Sequence, residues 1–284
     1  ARENQWGFVD FNRPMVAINQ WEQAEDSMYT LCGKDRIHPS TDGHLVMAYL
    51  FLKAQGLAGK PVADIRIDGA GKKVTRSDNC RVSDLSVSSD NLTFTYEAKS
   101  LPYPIDTSYY DNEKHTQADA LSVIPFMDEM NYEGLSVSGL SDGYYGLTIG
   151  GEFIGRFTAR ELERGINMAL LQNTPQYKQA MKIRQMNEER WLKERKMREF
   201  YWVEYNLMRK TGMLWACNEA AVDTLRKYRP HDIFLQWNGD LWLQYMHKGI
   251  REDCVNEQQD LVNQIYEQNK PIPLRIEIKK FTDL

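Results

Sequence analysis

The fold at the start of the chain is decided by residues 35–48, DRIHPSTDGHLVMA, where an acid and an imidazole precede an apolar helix. Thr41 or Asp42 can cap this helix, and Gly56 supplies its stop. The apolar run at residues 6–11 predicts a buried strand upstream. A strand, a loop with an acid and a base, and a packed helix together predict an α/β fold with the functional loop at the edge of a sheet.

The pair Asp35 and His38 has a clear chemical use. Asp35 can accept a hydrogen bond from one ring nitrogen of His38 and fix the tautomer, which leaves the other nitrogen free as a general base. An imidazole exchanges protons near neutral pH, and a carboxylate beside it stabilises the protonated ring. The alternative is a local hydrogen bond that only holds the start of the helix in place. Pro39 and the pair Gly43-His44 favour the functional interpretation.

Residues 59–158 are interpreted as a β-rich segment. The apolar residues Leu92, Phe94 and Tyr96 alternate with polar ones, which is typical of a half-buried strand. The pair Gly150-Gly151 predicts a hairpin between two further strands.

Residues 159–284 are interpreted as a mainly helical extension. Thr158-Ala159-Arg160-Glu161 matches a capping box, and the absence of Gly and Pro between Gln176 and Lys210 predicts a long helix. The extension ends in a predicted strand at residues 274–278. Three parts are therefore expected: residues 1–58, 59–158 and 159–284.

Composition argues against several functional classes. The net charge is −5, whereas nucleic acids and anionic membranes bind basic surfaces. The 4 cysteines are scattered, and their spacing predicts neither a disulfide framework nor a zinc site. No apolar run approaches the length of a membrane span. We expect no cofactor, no metal, no nucleic-acid partner and no membrane span.

Residues 35–39, the pair Gly43-His44 and the apolar helix that follows resemble the last motif block of the SGNH (GDSL) hydrolases. That block supplies the Asp and His of a Ser-His-Asp triad as Asp-x-x-His-Pro. The resemblance covers residues 1 to about 57, and the rest is similar to the long C-terminal extensions of some bacterial members. It implies that residues 1–58 are the C-terminal remnant of a three-layer α/β/α (flavodoxin-like) domain.

The same resemblance implies the function. His38 would be the base that deprotonates a serine, and Asp35 would orient and support it. The substrate would be an acyl or acetyl ester of a small molecule or carbohydrate, and the location periplasmic or secreted. The family's Gly-Asp-Ser block, oxyanion glycine and Gly-x-Asn-Asp block precede the matched region and are absent from this sequence. Together with a start at Ala1 without an initiator Met, this favours a chain cleaved or truncated at its N-terminus. A missing N-terminal segment of the same protein would then supply the serine.

Residues 139–143, Gly-Leu-Ser-Asp-Gly, match the Gly-x-Ser-x-Gly elbow of α/β-hydrolases. A helix follows that elbow, whereas residues 144–149 are strand-like here. The plainer interpretation is a β-hairpin with its turn at Ser141-Asp142-Gly143. Catalysis by Ser141 with His38 inside this chain is a weaker option.

A second hypothesis comes from a different functional class. The segments after residue 58 would form a non-catalytic module that binds a partner or a glycan, and the Asp–His loop would be a relic. His44 is interpreted as structural, and His115, His231 and His247 as isolated residues.

Overall fold

The computed structural model describes residues 3–108 and 115–281. The chain divides into two compact units: one is formed by the residues up to Ala180 together with the segment from Lys270, and the other by Met181–Asn269. Helices accompany two β-sheets, so the α/β fold class predicted from the sequence is confirmed. Within the described ranges, no helix combines the length and apolar character needed to cross a membrane.

The first unit contains several helices, and two of them, α2 and α4, begin or end at signals that the sequence shows. They are α1 (Asn12–Glu22), α2 (Thr41–Ala54), a 3-10 helix (Gln117–Ser122), α3 (Phe126–Glu129), α4 (Ala159–Arg164) and the start of α5 (Pro175–Val203). Helix α2 ends before Gly56, which has a φ of 71° that glycine adopts without strain. The Thr158 hydroxyl accepts from the Glu161 N–H at 3.1 Å, which confirms the capping box.

The strands of the first unit form two sheets. They are β1 (Ala63–Asp68), β2 (Lys73–Asp78), β3 (Cys80–Val87), β4 (Asn91–Ala98), β5 (Glu133–Ser138), β6 (Tyr144–Ile149), β7 (Glu152–Thr158), β8 (Ile166–Asn167) and β9 (Leu274–Lys280). The first sheet has the order β2-β1-β5-β8, with β1 and β5 parallel. The second has the order β3-β4-β9-β6-β7. The predicted C-terminal strand is confirmed as β9, which pairs with both β4 and β6.

The sheets share one apolar core. On β4, Leu92, Phe94 and Tyr96 are almost fully buried, as their alternation predicts, because successive side chains of a strand point to opposite faces. They belong to one cluster with Ile65 and Leu135 of the other sheet.

A second apolar cluster fixes helix α2. Leu45, Val46 and Tyr49 of α2 belong to one cluster with Leu31 and with Phe126 of α3. Leu31 is fully buried, so this cluster holds the start of the loop that follows, residues 32–40, in place.

The second unit is helical. It contains the rest of α5, a π-helical turn (Glu204–Met208), α6 (Glu219–Tyr228), α7 (Ile233–Tyr245) and α8 (Lys248–Gln268). Its core includes Phe200, Leu225 and Trp242. The buried carboxylate of Glu204 accepts hydrogen bonds from Trp242 Nε1 and from the backbone N–H of Trp215, each at 2.8 Å. Because burying a polar group is costly unless it is hydrogen-bonded, these bonds hold the π-helical turn against the core.

The expected strand at residues 6–11 is wrong. Those residues form no strand, and Trp6 and Phe8 are 70% and 75% exposed. An apolar run forms a stable strand only where neighbours supply ladder hydrogen bonds, and none of the described strands pairs with this segment. In the described part of residues 1–58, the extended structure is the isolated bridge between Cys32 and Pro39. The origin of this part in a three-layer domain stays a prediction.

Helix α7 is not among the helices that the sequence predicts. The Asp232 side chain caps it by accepting from the Phe234 N–H at 2.8 Å. Gly239 lies inside the helix and is close to Arg229, which in turn forms a salt bridge with Asp240 at 2.7 Å. Tertiary contacts thus override the low helix propensity of glycine. The second unit begins inside α5, and the three-part division of the chain stays a prediction.

Candidate active site

The loop at residues 32–40 is closed by backbone hydrogen bonds. Gly33 N donates to His38 O at 2.7 Å, and Ser40 N donates to Leu31 O at 3.0 Å. Arg36, at the tip, has a φ of 56°, a left-handed conformation that a turn of this kind requires. The result is a short loop whose two ends meet immediately before helix α2.

Asp35 and His38 lie in direct contact on this loop. Asp35 Oδ2 is 2.5 Å from His38 Nδ1, and Asp35 Oδ1 accepts from the backbone N–H groups of Ile37 and His38 at 2.9 and 3.1 Å. The hydrogen bond with the His38 ring, followed by these backbone bonds, lowers the pKa of Asp35 to about 2. Asp35 is therefore ionised throughout the neutral range and is held as an acceptor for the ring.

The other ring nitrogen of His38 is available. The His38 side chain is 84% exposed, and its Nε2 atom forms no hydrogen bond with any of the described residues. A carboxylate on Nδ1 and an open Nε2 are what a general base needs. The structure thus brings the two predicted residues together, while their catalytic role stays a prediction.

Ser141 lies in a different environment from His38. Its hydroxyl contacts Tyr145 OH at 3.1 Å and accepts from Lys280 Nζ at 2.8 Å. The predicted hairpin around Ser141 is wrong, because the flanking strands β5 and β6 belong to different sheets. A strand also follows in place of the helix that a nucleophile elbow requires. No hydrogen bond between Ser141 and His38 occurs among the described residues.

The start of α2 holds the loop in place. A Cβ atom at Gly43 would lie 2.0 Å from the carbonyl oxygen of Leu31, so only glycine allows this approach. Asp42, which is 1% exposed, contacts the Ser40 hydroxyl and accepts from the Gly43 N–H at 2.8 Å. Buried polar groups that are fully hydrogen-bonded fix local geometry. The helix start therefore sets the position of the Asp35–His38 pair.

His115 is not isolated, in contrast to its sequence interpretation. Its Nδ1 atom lies 3.5 Å from Asp42 Oδ2, and its ring is edge-on to Tyr29 at 6.4 Å between centroids. Burial, followed by the charge of Asp42, raises the pKa of Tyr29 to about 12. No local pattern predicts this group, because His115 is far from Asp42 in the sequence.

His247 also has a partner that the sequence does not indicate. Its Nδ1 atom is 3.3 Å from the sulfur of Cys217, and both residues are exposed. They belong to the second unit. Over the described ranges, no group of three or more His, Cys, Asp and Glu side chains is arranged to hold a metal ion.

Two known groups of proteins are similar to this chain, one over the second unit and one over nearly the whole chain. Residues 181–270 match the profile of a family described as the diltiazem deacetylase C-terminal helical domain, a range that nearly coincides with the second unit. A solved structure of a gut microbial diltiazem-metabolizing enzyme is similar over 99% of this chain, with a TM-score of 0.93 and 42% identity. The chain spans 64% of the length of that enzyme. No curated protein shows significant similarity.

Proposed function

We propose that the chain is the C-terminal part of an SGNH-type serine hydrolase that cleaves an acyl or acetyl ester. The observation that carries the proposal is the 2.5 Å contact between Asp35 Oδ2 and His38 Nδ1 on an exposed loop. The similarity to a diltiazem-metabolizing enzyme supports an ester-cleaving function, as does the match to a deacetylase domain family. The substrate class is an ester of a small molecule or a carbohydrate.

The roles follow from triad chemistry. A serine from a segment outside these residues attacks the ester carbonyl, and His38 Nε2 accepts its proton. Asp35 stabilises the resulting imidazolium and holds the ring in the correct tautomer. His38 then gives the proton to the leaving alcohol, and the acyl group stays on the serine. In the second half of the reaction, His38 removes a proton from water, which attacks the acyl-enzyme, and then returns that proton to the serine as the acid is released. The oxyanion donors come from the same outside segment as the serine.

The length of the similar enzyme is consistent with a serine supplied by a segment outside these residues. This chain corresponds to 64% of it, which leaves about a third of its residues as a source for the nucleophile block. We also propose a periplasmic or secreted location, as the family resemblance implies.

The test uses the full-length protein, with the residues upstream of Ala1, and p-nitrophenyl acetate as substrate. We expect His38→Ala to lower kcat by about 10³-fold or more, because the serine loses its base. Asp35→Asn keeps the size of the side chain but removes its charge, and a loss of about 10⁴-fold is typical of a triad Asp. His44→Ala is the matched control, since His44 is also an exposed histidine and lies nearby, in the first turn of helix α2.

An activity that persists in His38→Ala contradicts the proposal. That outcome favours the second hypothesis, a binding module in which the Asp35–His38 loop is a relic. A similar loss in His44→Ala also contradicts it, because the effect then belongs to the helix start in general and not to the base.

A further inference from the structure

The second unit contains a cleft with a mixed aromatic and charged lining. It has a volume of about 330 Å³ and lies between one face of α5 and the helix α7. Its lining residues are Trp191, Arg195, Arg198, Glu199, Trp202 and Asn238. Trp191, Arg195, Arg198 and Trp202 of α5 follow one another at three or four positions, so they share one face of the helix. The volume lies within the range of small-ligand sites.

Aromatic rings form two walls of this cleft. Trp191 is 44% exposed, and Trp202 packs beside Phe234 with ring centroids 5.2 Å apart. The ring centroid of Phe234 lies 5.4 Å from that of Trp237, and the side chains of Phe234 and Trp237 are 49% and 66% exposed. Indole rings that stay in contact with water, next to a cleft, offer flat apolar faces to a ligand.

The charged lining selects the chemistry of that ligand. Arg198 lies over the Trp191 ring at 5.5 Å and is 3.7 Å from Glu194. Glu194 already accepts a hydrogen bond from Arg190 at 2.9 Å, and Arg198 forms no hydrogen bond with any of the described residues. The Arg198 guanidinium therefore retains donors that fit a carboxylate. Arg195 and Glu199 pair at 2.7 Å, so the three arginines on this face, Arg190, Arg195 and Arg198, meet only two carboxylates, Glu194 and Glu199.

We propose that this cleft binds an acidic oligosaccharide. The C–H face of a sugar ring stacks on an indole, the hydroxyl groups bond to Asn238 and Glu199, and a uronate carboxylate pairs with Arg198. A purely apolar ligand would instead desolvate the charged groups without replacing their hydrogen bonds. A neutral sugar would bring no carboxylate to Arg198, whose neighbouring carboxylate, Glu194, is shared with Arg190. This binding does not depend on ester hydrolysis by the first unit.

The test measures binding of trigalacturonate and of maltotriose to the whole chain by isothermal titration calorimetry at low salt. We expect trigalacturonate to bind at least about ten-fold more tightly than maltotriose, because a charge-assisted bond to Arg198 is added. Arg198→Gln and Trp191→Ala should each weaken trigalacturonate binding by about ten-fold or more. Arg226→Gln, an exposed arginine of α6 in the same unit, is the charge-matched control and should bind as the unchanged protein does.

Three results would overturn the proposal. One is the absence of binding of either trisaccharide at millimolar concentration. Another is equal affinity for the acidic and the neutral sugar. The third is trigalacturonate binding that neither Arg198→Gln nor Trp191→Ala weakens. The far-ultraviolet circular dichroism of each variant verifies that the helical unit is intact, and Arg198→Gln alters an exposed side chain that the core does not contain.

Discussion

The substitution Gly43→Ala tests whether the start of α2 positions the proposed base. A Cβ atom at residue 43 would lie 2.0 Å from the backbone oxygen of Leu31, against a practical minimum of 3.0 Å. The difference, 3.0 minus 2.0, requires a shift of about 1 Å between the helix and the loop at residues 32–40. Leu31 is fully buried, so the shift cannot be absorbed by a surface side chain.

The energetic cost follows from two effects. Overpacking of a tight contact costs about 1–3 kcal/mol. The Leu31 oxygen also accepts hydrogen bonds from Ser40 N and Ser40 Oγ, both at 3.0 Å, and each such bond contributes about 0.5–1.5 kcal/mol. We therefore expect Gly43→Ala to lower the free energy of unfolding by about 2–6 kcal/mol. Because a misplacement of 1 Å can cost about 10²-fold in rate, ester hydrolysis should fall by a similar factor.

Two assays measure these effects. Urea unfolding, monitored by tryptophan fluorescence, gives the change in stability, and hydrolysis of p-nitrophenyl acetate by the full-length protein gives the change in rate. Gly249→Ala is the matched control, because Gly249 also lies in the first turn of a helix but has no atom within 4 Å of the added Cβ. That variant should be unchanged or slightly more stable. The reasoning is refuted if Gly43→Ala unfolds within about 0.5 kcal/mol of the unchanged protein and keeps its rate of hydrolysis.

Two further predictions concern buried and exposed groups. Burial raises the pKa of Glu133 from 4.5 to about 7, although Tyr96 and Gln176 donate hydrogen bonds to it. The folded state thus binds this proton more tightly than the unfolded state does. The proton contributes about 3 kcal/mol to the free energy of unfolding below pH 4.5, and this contribution is lost as the pH rises to 7. Glu133→Gln should remove that loss, which urea unfolding at pH 4.5 and 7.5 will detect; an unchanged pH dependence would contradict the assignment. Cys217, the exposed thiol beside His247, should react before the buried Cys254 of the same unit in a mass-spectrometric time course with iodoacetamide, and equal labelling of Cys254 would show that the second unit opens.

The sequence by itself determined the features that depend on near neighbours. The Asp35–His38 contact spans three positions, and the capping box at Thr158 and Glu161 spans the same distance. The alternation that predicts β4 likewise repeats every second residue. Such features are predictable because hydrogen bonds and side-chain directions over a few residues follow from local backbone geometry.

Tertiary structure alone decided how distant segments meet. It inserts β9 between β4 and β6, assigns β5 and β6 to different sheets, and brings His115 to Asp42 and His247 to Cys217. It also leaves residues 6–11 outside the sheets of the described chain, although their apolar pattern predicts a buried strand. The physical reason is that the hydrophobic effect is not directional, so an apolar side chain is stabilised by burial against any partner surface of the right shape. Which remote segment supplies that surface, and hence which side chains meet, is settled only when the whole chain packs.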